Sequence, residues 1–285
     1  MFIIIGAIIV VGCVAAGYAM HHGPFGVLWQ PNEVVIIGGA ALGSAFIMAP
    51  PHVLKEILHG ILALLKGKAE KPAEYKKLLV SLYELFRLGS FEGGNGLEPH
   101  VESPETSELL KKNPELLADH HSLEFLCDTM KVVIIGGVPE YQIAELTDMS
   151  IETHDDEAHH APSILTKVAD SLPGMGIVAA VLGIIITMQH IDGEASEIGM
   201  SVAAALVGTF LGILAAYGFI GPLATHMELR AGAARTKLVC IRAGVLAYAR
   251  GLHPLICVEF ARRTLPSHIR PSFSKLEEAC REAGR

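Results

Sequence analysis

The chain has 285 residues, of which 51% are hydrophobic, and a mean hydropathy of +0.43, too apolar for an ordinary soluble domain of this size. Charged residues make up only 18% and gather in blocks between apolar runs, the pattern of a polytopic membrane protein with soluble portions. The net charge of −8 argues against a nucleic-acid binder, which needs a basic patch.

Phe2 to Met20 is an uninterrupted apolar run without charge. A signal peptide or a lipoprotein signal at Val11-Gly12-Cys13 would need basic residues in front, and there are none, so a retained first transmembrane helix is expected. His21 to Glu33 reads as a short loop in which Trp29 can anchor at the interface. Val34 to Val53 reads as the second span, ending at Pro50-Pro51. The flank then turns basic at Lys55, Lys66, Lys68, Lys71, Lys76 and Lys77, which makes it cytoplasmic by the positive-inside rule and the first loop periplasmic.

Residues 54–166 form a block with helical signals, expected to be a cytoplasmic domain. Leu78, Leu79, Leu82, Leu85 and Phe86 follow a 3.6-residue period, with Gly89 as a stop signal. Gly93 to Gly96 reads as a turn. Ser103-Pro104 and Asn113-Pro114 each resemble an N-cap with proline at the first helical position. Helices are expected from Pro114 to Ile135 and from Tyr141 to Ala158.

Residues 167–228 hold two further apolar runs, the third and fourth spans. Asp170 and Asp192 enclose about 20 uncharged residues, enough to cross a hydrocarbon core as a helix. The stretch from Glu197 to Glu228 is longer, so its helix can tilt or project. Both are rich in glycine and alanine. Gly176, Gly183 and the Gly208/Gly212 GxxxG pair mark helices whose backbones approach closely. Thr187 and Thr209 supply hydroxyls, but neither run holds a carboxylate at mid-membrane depth. An ion carrier needs a titratable group there, so another chain is expected to bring it.

Beyond the fourth span come Arg230, Arg235, Lys237 and Arg242, while the loop from Asp192 to Glu197 carries acids only. Every Lys and Arg thus falls on one side, giving four spans with both termini inside. Residues 229–285 read as a helical cytoplasmic tail, and the fold class is all-α.

The five cysteines are scattered without a CxxC, neither a disulfide framework nor a zinc pattern. His154-Asp155-Asp156-Glu157-Ala158-His159-His160 lacks the HExxH pairing and reads as a solvated helix end; His21-His22 and His120-His121 are no more persuasive. No phosphate loop, nucleophile elbow or catalytic triad is recognisable, so neither an enzyme nor a cofactor is expected.

Asp170-Ser-Leu-Pro173, Gly176-Ile-Val-Ala-Ala180-Val and Val207-Gly-Thr-Phe-Leu-Gly-Ile-Leu214, continuing through Ala216-Tyr-Gly-Phe-Ile220 to Pro222-Leu-Ala-Thr225, resemble the MotA subunits of the bacterial flagellar stator. The resemblance is to the long enterobacterial-type form and runs essentially end to end. It implies five copies in the inner membrane around two copies of a MotB-like partner, which brings one transmembrane helix, an essential aspartate and a peptidoglycan-binding domain. It also implies contact with a FliG-like switch-complex protein of the rotor.

The resemblance assigns the ion path and its coupling to Asp170, Pro173, Ala180, Thr209 and Pro222. By themselves Pro173 and Pro222 are helix punctuation, Thr209 a back-bonded hydroxyl and Ala180 a packing residue. In the family the two prolines are linked to coupling, and the threonine faces the partner's carboxylate. Sodium-driven relatives carry a threonine where Ala180 stands; alanine offers no oxygen ligand, so proton coupling is expected. Glu98 matches a glutamate that meets the rotor. The family's arginine position falls on Ser90, a departure, with Arg87 one helical turn earlier. An ExbB/TolQ-like energiser of outer-membrane processes is the alternative, although such proteins typically have three spans; a membrane scaffold or transporter subunit is a further one.

Overall fold

The computed structural model describes residues 2–66, 72–189 and 194–283; Lys68, Lys71 and Asp192 lie outside them. Every regular element among the described residues is helical. In chain order these are α1 (Phe2–Met20), α2 (Phe25–Leu28), α3 (Pro31–Met48), α4 (Pro51–Leu65), α5 (Pro72–Glu92), α6 (Gly94–Glu102), α7 (Glu108–Lys111), α8 (Pro114–Leu117) and α9 (His120–Ile135). Then follow α10 (Glu140–Met188), α11 (Ala195–Ala215), a π-helical turn (Ala216–Ile220), α12 (Gly221–Ala249), α13 (Pro254–Arg263) and α14 (Phe273–Ala283).

The chain divides into two units. The apolar unit comprises Met1–Lys68 and Glu157–Arg230. Among the described residues it contains four stretches long and apolar enough to cross a membrane, within α1, α2–α3, α10, and α11 with its continuation. None of the residues of α1 is buried, so nineteen almost wholly apolar residues lie open. Such a surface is stable only against lipid or other protein. The internal packing of this unit uses small residues: Ala41, Ala179 and Ala216 in one cluster, Ala49, Ala161 and Ala224 in another. Small side chains bring helices close where lipid removes the hydrophobic drive to associate.

The second span differs from its expected bounds. Pro31 occupies the first helical position of α3, so the helix begins three residues before Val34 and takes Glu33 into its first turn. It stops at Met48, Ala49 is extended, and Pro51 starts the separate helix α4. A proline disfavours helical backbone in the residue before it, which places the break ahead of Val53.

The polar unit comprises Ala69–Asp156 and Ala231–Arg285. Its core is of the soluble kind, built on Leu79, Leu82, Phe86, Leu126, Met130, Ile241 and Leu265. Phe86 stacks on Tyr248 with ring centroids 5.1 Å apart. Gly89 does not end its helix, which continues to Glu92; a Cβ there would run into the Tyr248 hydroxyl and Leu97, so this glycine admits α6 and α12. The break falls at Gly93, whose φ of +70° suits glycine, and Gly94 already belongs to α6. Ser103-Pro104 forms a turn rather than a helix start, and the helix is capped later by Ser107. Asn113 does cap α8, accepting from the Leu116 N–H. The expected Pro114–Ile135 helix is split by Asp119, which caps α9.

Candidate functional site

The third and fourth spans meet backbone to backbone. A Cβ on Gly176 would stand 2.8 Å from the Gly208 carbonyl oxygen and 3.3 Å from Gly212 Cα. One on Gly212 would stand 2.5 Å from the Leu172 carbonyl oxygen, and one on Gly183 would stand 2.8 Å from Ala205 Cβ. The four glycines singled out in the sequence thus form one seam between α10 and α11. Ala180 is buried in α10.

The two threonines of the seam differ. Thr187 is buried and donates to the Gly183 carbonyl at 2.9 Å, the ordinary fate of a helix hydroxyl. Thr209 is half-buried, and among the described residues its hydroxyl makes no hydrogen bond. Thr209 keeps its oxygen available to a group outside this chain.

Pro173 sits inside α10, which runs unbroken through Pro162 and Pro173 for 49 residues. Its missing N–H leaves the Ala169 carbonyl without its i+4 donor. Pro222 sits at the second position of α12, directly after the π-helical turn. It cannot donate to the Gly218 carbonyl, and the helix widens over Ala216–Ile220, where the Gly221 N–H bonds Ala216. Sequence analysis read punctuation at Pro222; the structure has a local change of helix type.

The π turn and Pro222 border a cavity of about 500 Å³. Asp170, Thr166 and Ala169 of α10 line it opposite Tyr217 of the π turn and Pro222, Thr225 and His226 of α12. Asp170 and Pro222 share this cavity, whereas Ala180 and Thr209 lie farther along the seam.

One buried acid lies outside the residues singled out in the sequence. The third and fourth spans hold no carboxylate between Asp170 and Met188 or between Glu197 and Glu228, but the helix α3 brings one to them. Glu33 is only 8% exposed, and its side chain points inward. A Cβ on Gly208 would collide with Glu33 Oε2, and one on Gly183 would stand 3.7 Å from Oε1. Oε2 is buried without a hydrogen-bond partner among the described residues. The sequence alone places Glu33 at the end of the loop that begins at His21. The available signal was proline two residues before an acid, a helix start.

Of the residues expected to face the rotor, Glu98 is exposed on α6. Arg87 lies over the Phe91 ring at 5.8 Å and lines a cleft with Glu84, Glu92 and Leu109 that does not include Glu98. Ser90 is exposed, and its hydroxyl donates back to Phe86. In the histidine-rich stretch, Asp155 pairs with Arg235 at 3.3 Å and His154 lies against His121. Cys127, Cys240, Cys257 and Cys280 are buried. Burial pushes their thiols up to about 11 or 12, so they stay protonated and unreactive.

Residues 4–93 match the family profile of the motility protein A N-terminal region, and residues 117–237 match that of the MotA/TolQ/ExbB proton channel family. The chain is 40% identical to motility protein A of Salmonella typhimurium over 281 residues, 99% of this chain and 95% of that protein. It is 37% identical over 274 residues to the chemotaxis protein LafT of Vibrio parahaemolyticus, covering 96% of each. Its fold matches that of C. jejuni MotAB, with a TM-score of 0.76 at 18% identity over 93% of this chain and 95% of that one. The flagellar MotAB stator complex from Bacillus subtilis gives 0.74 at 22% identity over 97% and 98%. With this identity held along nearly its whole length, the chain belongs to the MotA motility-protein family, within the MotA/TolQ/ExbB proton channels.

Proposed function

We propose that this chain is the channel-forming subunit of a flagellar stator, which with a MotB-like partner converts proton flow into torque on the rotor. The observation that carries the reading is Thr209: a hydroxyl without a bond, on a glycine seam, in a chain of this family. Such a group can face a carboxylate brought by a partner helix. Five copies around two partner helices would turn the α10–α11 faces inward and leave α1 and α3 as the outer wall, consistent with the openness of α1.

Proton arrival at the partner's aspartate, near Ala180 and Thr209, changes the packing between the spans. The helix at Pro173 and the widened turn before Pro222 are where the spans yield with least loss, because one backbone bond is already absent at each. Asp170 lines the inner end of this path. Glu98, with Arg87, meets charges of a FliG-like rotor protein. Ala180 offers no oxygen to a sodium ion, which favours the proton as coupling ion. The protein is an energy converter of the inner membrane rather than an enzyme, with four passes and both termini in the cytoplasm.

Deletion of the gene tests the reading. Cells with assembled but unmoving flagella, restored by the gene on a plasmid, are expected once any second stator set has been removed. Cells that swim normally in that background, yet lose envelope integrity or iron-complex uptake, would point instead to an ExbB/TolQ-like energiser.

A further inference from the structure

We propose that Glu33 is a proton-binding site of the ion path, supplied by this chain itself and exchanging its proton during the motor cycle. The inference rests on the stator reading above and deepens it. Glu33 is nine-tenths buried, its Oε2 has no hydrogen-bond partner among the described residues, and its carboxyl group is seated on Gly183 and Gly208 of the seam. A carboxylate left charged and unpaired in such a place is costly, whereas a carboxylic acid is tolerated. Ionisable groups inside spanning segments therefore mark ion pathways.

Depth supports the same conclusion. α11 begins ten residues before Ala205, which is about 15 Å of helix. α10 continues five residues past Gly183, about 7 Å. Glu33 thus starts its own helix yet lies well inside the ends of the two that seat it. Gly183 stands one turn beyond Ala180 toward the end where α11 begins, the outer side in the proposed orientation. That places Glu33 between the outer aqueous phase and the partner's carboxylate.

The seat also selects the ion. Beside the carboxyl group are Gly183 and Gly208, whose other neighbours include Ala205 and Ala179, and the Thr187 hydroxyl is engaged with the Gly183 carbonyl. A metal cation needs several oxygens; a proton needs one. In the proposed step the Glu33 O–H bond breaks, the electron pair stays on the carboxylate, and the proton passes through water to the partner's carboxylate. A proton from the outer phase then restores the acid. Few other groups compete. α3 has no second charge, α10 none between Asp170 and Met188, and α2 none. Glu194 and Glu197 at the start of α11, and His21 and His22 before α2, are all exposed.

The full chain with its partner tests this by two readouts. Glu33→Gln keeps shape and neutrality but cannot release a proton. Expected are wild-type membrane levels and partner copurification, but roughly tenfold slower rotation at low load, where proton transit limits speed. Glu33→Asp should restore a large part of that speed. Infrared difference spectra of the purified wild-type complex should show a protonated carboxylic-acid band that bleaches as pH rises and is absent in Glu33→Gln. Wild-type speed in Glu33→Gln, or a band that no pH change alters, would make Glu33 a fixed packing acid and overturn the proposal. If Glu33→Gln fails to accumulate, the wild-type band and its displacement in Glu33→Asp decide. Failure of the wild-type gene itself to restore rotation would instead refute the stator reading.

Discussion

Asp119 shows how single side chains in the polar unit do two jobs. It caps α9 by accepting from the Ser122 N–H at 3.3 Å, and it pairs with Lys237 of α12 at 2.7 Å. Burial alone would raise its pKa, but the hydrogen bond and charge of Lys237, with the bonds from Ser122, outweigh that and hold it below its ordinary 3.8. A carboxylate depressed by folding contributes stability that is complete above its unfolded value and is lost as pH falls through the lower folded value. Asp119→Asn keeps a good cap but strands the lysine, so it should cost about 1–3 kcal/mol at neutral pH. Its stability should also fall less steeply than that of the wild type below about pH 4. Denaturant midpoints of the purified complex across that range check both statements. At this scale the sequence was partly legible. The glycines were recognisable because small-residue spacing has a single physical use in a membrane. Thr209 could not be told from Thr187, because whether a hydroxyl bonds back to its helix depends on its rotamer. Glu33 was hidden because burial of an acid is decided by neighbours more than a hundred residues away.

At the scale of elements, the π-helical turn before Pro222 has the clearest consequence. A π turn is one extra residue accommodated in an α-helix, so relaxing it to α geometry turns everything downstream by about 100°. Pro222→Ala restores the N–H that the Gly218 carbonyl lacks and removes the reason for the wide turn. The variant should lose rotation while keeping membrane levels and partner copurification, with Thr225 and His226 turned out of the cavity they share with Asp170. Cysteines placed at 170 and 225 would read the change: a cross-link that forms in the Pro222 background should be lost in Pro222→Ala, and an unchanged cross-link would remove the π turn from the mechanism. Periodicity made the helices themselves readable, including the core face of α5. Proline effects were read less well. Pro173 does not stop α10, since neighbouring helices support a span that has lost one bond, whereas Pro50-Pro51 does divide the second span from α4. A π turn has no periodicity of its own and leaves no mark in composition.

For the whole molecule, the placement of charge supports the proposed orientation. All 22 lysines and arginines lie in residues 55–167 and 230–285, and none in 1–54 or 168–229. The two short connections, after α1 and before α11, therefore carry no basic residue, and the last three of the candidate spans found among the described residues separate basic from non-basic segments in alternation. Orientation follows the Lys and Arg count near span ends rather than net charge, so the overall −8 is no obstacle. A fluorescent protein that folds only in the cytoplasm should light up when fused after Arg285. A phosphatase active only outside should work when inserted after His22 but not after Arg285. Adding lysines beside His22 should create a misoriented fraction, visible as fluorescence lost from the C-terminal fusion, because it sets two basic flanks of the first hairpin against each other. Phosphatase activity at the C-terminus of the unaltered chain would invert the arrangement. It would put Glu98 and Arg87 on the far side of the membrane from any rotor, and Glu33 at the inner rather than the outer end of the ion path.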